Sequence, residues 1–181
     1  MVDATQPQPQ KQEAPAIEVD YSVLDNLTTD GLAEILAKLF QPDTTILAQA
    51  TALLKRYFKS LKAMENLLIL MASSPEQNIR QVCCVYLRQV APKLWCNLPA
   101  DDQTKTKELL LTRFVEEPVT VIKKNIADVI GQLSRILIPN KEWDELFKFV
   151  FEYTQAEELI KKELAMMLLS VIVEHFSASD V

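Results

Sequence analysis

Glycine is nearly absent from this chain: Gly31 and Gly131 are the only two among 181 residues. Hairpin-rich sheets and phosphate-cradling loops both need glycine for left-handed turns and close backbone approach, so the scarcity weighs against each. Histidine is scarcer still, with His175 alone. One histidine, no HExxH pair and no glycine-rich loop leave no catalytic triad and no zinc-peptidase motif, so an enzyme is not expected. The three cysteines, Cys83, Cys84 and Cys96, form no CxxC pair and have no nearby histidine, so neither a metal nor another cofactor is expected. Adjacent thiols at Cys83 and Cys84 fall on an apolar stripe and read as buried, reduced groups of a cytosolic or nuclear protein. The longest apolar run, Leu164 to Val173, is too short to cross a bilayer. No secretory signal opens the sequence. Net charge is -6, and residues 1–26 hold five acids and one lysine, a net of -4, which leaves -2 for the remainder. That balance, without a basic and aromatic stripe, argues against nucleic acid as a partner.

What the chain does have is one apolar frame repeated four times, anchored at Ile46, Ile79, Ile122 and Ile160. Offsets of 4, 7, 8 and 11 residues from each anchor land on small or apolar residues, such as Cys83, Tyr86, Leu87 and Val90 in the second copy. At 3.6 residues per turn these side chains share one helical stripe. The anchors are 33, 43 and 38 residues apart, the spacing of paired helices stacked into a solenoid.

Turn chemistry divides the chain accordingly. Residues 1–26, rich in Gln, Pro and Ala, bury too little to offset the entropy of ordering and read as a disordered leader. Residues 27–181 read as the repeat array. A first helix is capped near Thr28 or Thr29 and broken at Gln41-Pro42, after which Asp43 caps the first anchor helix. The second pair begins at Leu61, breaks at Ser73-Ser74-Pro75 and resumes with Ile79, and Pro92 is expected to kink or end it. The third pair starts after Pro99 with Asp101 or Asp102 as cap, and Glu117-Pro118 introduces its second helix. The fourth places Trp143, Leu146 and Phe147 on its first helix and begins its second at Glu157 and Glu158. This last helix is apolar on more than one side and reads as an internal repeat whose next neighbour is missing. The expected fold is all-α, a right-handed α-solenoid of about four HEAT-like antiparallel helix pairs.

The stretch IRQVCCVYLRQVAPKLW, Ile79 to Trp95, resembles the second repeat of importin-beta-like nuclear transport receptors, the karyopherins. Ile79, Arg80, Gln81, Leu87 and Trp95 match the family's order, with Arg88 for its lysine and Gln89 for its asparagine. PDTTILAQATALLKRYFKS is similar to the family's first repeat, and the resemblance covers roughly residues 28–176. The third and fourth repeats look most like the branch that imports ribosomal proteins and histones. The resemblance implies a HEAT superhelix whose second helices, here 43–59, 76–95, 118–137 and 157–176, line the concave face. It implies the Ran GTPase in its GTP state and basic cargo proteins as partners, nucleoporins in slots between outer helices, and shuttling between cytoplasm and nucleus. A stand-alone helical-repeat scaffold for another protein assembly is the alternative.

Six residues are candidates for partner contact: Arg80, Gln81, Lys123, Lys124, Lys161 and Lys162. Arg80, Lys123 and Lys161 directly follow their anchors, and two roles fit them. They contact a partner, or they form a ladder that satisfies polar groups at the turn between repeats. Lys124 and Lys162, one position on, are freer to face solvent. Trp95 is a candidate nucleoporin anchor, although its size favours the core.

Overall fold

A computed structural model describes residues 19–177, with residues 175–177 described as helix backbone only. Eight helices fill this span: α1 (Thr29–Ala37), α2 (Thr44–Tyr57), α3 (Leu61–Ser73), α4 (Gln77–Leu94), α5 (Ala100–Glu116), α6 (Thr120–Leu137), α7 (Asp144–Gln155) and α8 (Leu159–Ser177). Among the described residues there is no strand. The helices pack as antiparallel pairs in a solenoid of HEAT-repeat type, α3 against α4, α5 against α6 and α7 against α8.

The helix ends follow local chemistry. Thr28 caps α1 by accepting from Gly31 N–H at 3.1 Å, and Asp43 caps α2 by accepting from Thr45 and Ile46 N–H at 2.8 and 3.1 Å. Asp101 and Asp102 do not cap α5: both lie in its first turn, and Pro99 holds the cap position. Carboxylates there favour the positive helix pole without a direct bond. Pro92 does not end α4, which runs two residues beyond it. Its missing N–H costs one bond in the last turn, where the ladder is closing anyway. The segment just before α1 is partly ordered: Tyr21–Leu24 form a 3₁₀ turn, Val19 and Leu24 touch the core, and Leu27 is buried. Residues 1–18 of the expected leader lie outside the described residues.

The apolar frame is the core. Ile79, Cys83, Leu87 and Val90 are buried on α4, and Ile122, Ile126, Val129, Ile130 and Leu133 on α6. A chain of hydrogen bonds, Thr29 Oγ1 to Asn66 Oδ1 at 3.0 Å, half-buried, and Asn66 Nδ2 to Tyr57 OH at 2.8 Å, buried, ties α1, α3 and α2. Both ends of the Asn66 amide are thereby satisfied. Phe114 of α5 meets Phe149 of α7 edge-on at 6.5 Å, linking the third pair to the fourth. The fourth anchor departs from the frame: Ile160 is 71% exposed. It sits in the first turn of α8, and Phe147, Phe151, Leu159 and Met166 of the same pair are exposed with it.

Curvature follows from unequal spacing. α4 lies along α6 and α6 along α8, whereas α3 meets α5 over a short stretch. α4, α6 and α8 form the more closely packed row, as expected of the inner row of a helical solenoid. The first step differs, because α1 lies on both α3 and α4 while α2 approaches α4 little. Phe114 is fully buried at the joint between pairs. Phe114→Ala should therefore cost about 3–5 kcal/mol in urea unfolding, with the slope unchanged.

Candidate functional site

The solvent-facing stripe of the inner helices is the candidate site, and what lies beneath it decides which residues can use it. Arg80 does not face solvent. Its guanidinium is buried and forms a bidentate pair with Glu117, Nε to Oε2 at 3.1 Å and Nη2 to Oε1 at 3.0 Å. Its Nη1 donates to the carbonyls of Ser74 and Pro75 at 3.0 and 3.1 Å. Arg80 thus holds the turn before its own helix with one nitrogen and the turn before the next inner helix with two. Glu117 also accepts from Val119 N–H at 3.2 Å and from Arg113 Nη2 at 3.4 Å.

Lys123 plays half of that role. Its Nζ donates to Val115 O at 3.3 Å, closing the turn before α6. Its ammonium lacks the planar fork with which the Arg80 guanidinium grips a carboxylate from the next turn. Lys161 makes a local contact, Nζ to Glu158 Oε1 at 3.0 Å on the surface. The ladder role therefore describes Arg80 and Lys123, whereas Lys161 forms an exposed pair that contributes little.

Gln81, Lys124 and Lys162 are exposed on α4, α6 and α8. They occupy the same position in successive repeats, two residues past the anchor, so stacking brings one per repeat onto the inner stripe. Val85, Val121 and Met166 are exposed on the same helices. Arg88 of α4 and Asp128 of α6 bridge at 3.4 Å across them. The stripe combines unburied apolar side chains with cations, the composition of a protein contact surface with a polar rim.

Other expected features fall into the core. Trp95 is 2% exposed, so it is no surface anchor. Burial pushes the thiols of Cys83 and Cys84 up, Cys84 to about 12 with Glu117 adding to the effect, which keeps both inert at neutral pH. His175 has no described side chain. Among the described residues, no three His, Cys, Asp or Glu side chains are grouped to hold a metal, and no helix is long and apolar enough to cross a membrane. On the outer side, a groove of about 620 Å³ runs between α3 and α5, with Leu61, Leu68, Ile69, Leu98 and Leu109 in its walls.

The feature missed from sequence is Glu117 as the receptor for Arg80. The signal was present in the turns: proline falls four residues before the anchor in three copies, at Pro42, Pro75 and Pro118. The residue before it is Gln41, Ser74 or Glu117, and only Glu117 is a carboxylate.

The fold and stripe define a helical-repeat solenoid with an open surface. A family model described as "IPO5-like, TPR repeats" matches residues 118–180. "Probable importin subunit beta-4" of Schizosaccharomyces pombe is 28% identical over 152 residues, covering 83% of this chain and 14% of that protein. "Importin-4" of Mus musculus is 28% identical over 147 residues, 79% of this chain and 13% of the relative. "Probable importin-5 homolog" of Dictyostelium discoideum is 23% identical over 150 residues, 79% of this chain and 14% of the relative. The chain is distantly similar, over part of its length, to HEAT-repeat proteins of the importin or karyopherin family. It spans 13–14% of the length of these relatives.

Glu117 also makes stability depend on pH. Burial raises its pKa, but the bonds from Arg80 and Val119 N–H and the charges of Arg80 and Arg113 outweigh it, leaving the carboxyl below its ordinary value. Because the folded value is the lower one, this stabilisation is complete above the unfolded glutamate value and is lost as pH falls through the folded value. Chemical denaturation from pH 7 downward should show this acid-side loss in the wild type, with a shallower slope in Glu117→Gln.

Proposed function

We propose that this chain is a protein-binding module of nucleocytoplasmic transport, the N-terminal part of an importin-beta-type receptor that engages Ran-GTP, basic cargo or both. It works by shape and electrostatic matching rather than catalysis, and it shuttles between cytoplasm and nucleus. The supporting observation is the inner stripe, where Gln81, Lys124 and Lys162 recur once per repeat beside exposed Val85, Val121 and Met166. Distant similarity to proteins named as importins supports the transport setting.

Within this reading the roles divide. Lys124, Lys162 and Gln81 meet the partner, Lys161 contributes from the rim, and Arg80 and Lys123 hold the turns that set the stripe's spacing. The apolar groove between α3 and α5 is the outer-row slot for a nucleoporin phenylalanine, in place of the buried Trp95.

In calorimetric titration, Ran loaded with GTP should bind more tightly than Ran loaded with GDP. Lys124→Glu combined with Lys162→Glu should weaken the GTP form by about tenfold, the loss expected of two rim-charge reversals. Equal capture of both nucleotide states by a folded sample would favour the scaffold alternative.

A further inference from the structure

The first inner step holds a feature that the transport reading does not use. Because α2 diverges from α4, a cleft of about 480 Å³ opens between them. Leu54 and Val90 line its apolar depth, and Phe58 and Tyr86 meet across it with ring centroids 4.5 Å apart. Lys55 and Lys59 stand on the α2 side and Lys93 on the α4 side, and no acidic residue lines the cleft. Among the described residues none of these three lysines enters an ion pair.

Lysines near helix C-termini favour the negative pole, which accounts for one cation per helix end. It does not account for three unpaired cations converging on one apolar-floored cleft in a chain of net charge -6. Lys55 stands in the last turn of α2 and Lys59 in the turn that follows it, so both reach the same wall of the cleft. Lys93 faces them from the other wall. That arrangement suits an extended segment whose carboxylates alternate between walls while an apolar side chain packs against the touching Phe58 and Tyr86 rings.

We propose that the α2–α4 cleft docks an acidic peptide segment of a partner protein, one that carries an aromatic or large apolar residue among its carboxylates. A polyanionic nucleic acid fits less well, because three cations in an acidic chain supply little of the counter-charge it needs. The proposal concerns a partner opposite in charge to basic cargo, and it does not rest on Ran binding.

The test is fluorescence anisotropy with a labelled twelve-residue peptide of Asp and Glu bearing one central phenylalanine. The intact chain should bind it, weakening by about tenfold or more as salt rises from low to high ionic strength. An Asn and Gln version should bind at least about tenfold more weakly, as should the acidic peptide to the Lys55→Glu, Lys59→Glu, Lys93→Glu variant. Lys148→Glu, on α7, should leave binding unchanged, and circular dichroism melting checks that each variant is folded. Independently of any variant, carbodiimide coupling to the wild-type chain should join the peptide to Lys55, Lys59 or Lys93 in mass-spectrometric maps. Coupling elsewhere, or equal binding of the neutral peptide, would overturn the proposal. So would tighter binding of a single-stranded oligonucleotide, which would make nucleic acid the occupant. A tenfold gain on removing residues 1–18 would make that acidic segment the occupant, and a salt-sensitive dimer competing with the peptide would make it a second copy.

Discussion

The buried pair of Arg80 and Glu117 is the constraint on which the middle of this solenoid depends. Removing two opposite charges from water costs several kcal/mol each, and the pair is favourable only because nearly every polar valence around it is filled. Arg80 supplies two parallel bonds to the carboxylate and two more to Ser74 and Pro75 carbonyls, and Glu117 adds Val119 N–H and Arg113. Those partners belong to two successive turns, so the pair fixes how the third helix pair sits on the second. Apolar burial drives the helices together, but it is non-directional and leaves sliding cheap. Paired charges with fixed geometry make one register preferable.

The same constraint explains why the surface lies where it does. In α4 and α6 the cation directly behind the anchor points back into the turn, which takes it up. The next position along the helix is rotated outward by about 100°, towards solvent. The exposed positions of the stripe therefore begin at Gln81, Lys124 and Lys162, and Arg80 and Lys123 are held in the turns beneath the first two. In α8 the local pair with Glu158 replaces the ladder, and Lys161 stays on the surface. Position in the repeat thus sets the direction of each side chain, and the partner available in the adjacent turn sets its role.

Most of the architecture was legible because helix periodicity and turn chemistry agree along the chain. The offsets from Ile79 and Ile122, the Asp43 cap and the proline turns all mark boundaries that the structure keeps. Pro92 was harder, since a proline in a last turn removes a single bond and the burial of Ala91 and Leu94 carries the helix past it. Ile160 was misplaced because a repeat frame assigns equal burial to equal positions, whereas burial needs a neighbour over that face. The candidate site was legible by position but not by role. Nothing local to Arg80 reveals that its partner is Glu117, 37 residues on, since the contact exists only after two repeats have stacked.

The coupling between Arg80 and Glu117 tests this account most directly, through a double-mutant cycle measured by urea unfolding. Arg80→Met and Glu117→Met should each cost about 3–5 kcal/mol, since each leaves the other charge buried without its bidentate partner. The double variant should cost less than their sum by about 2 kcal/mol or more, because neither charge is then stranded. Single costs that add to within about 0.5 kcal/mol would contradict the account, since they would mean that the two groups do not act as one joint between repeats.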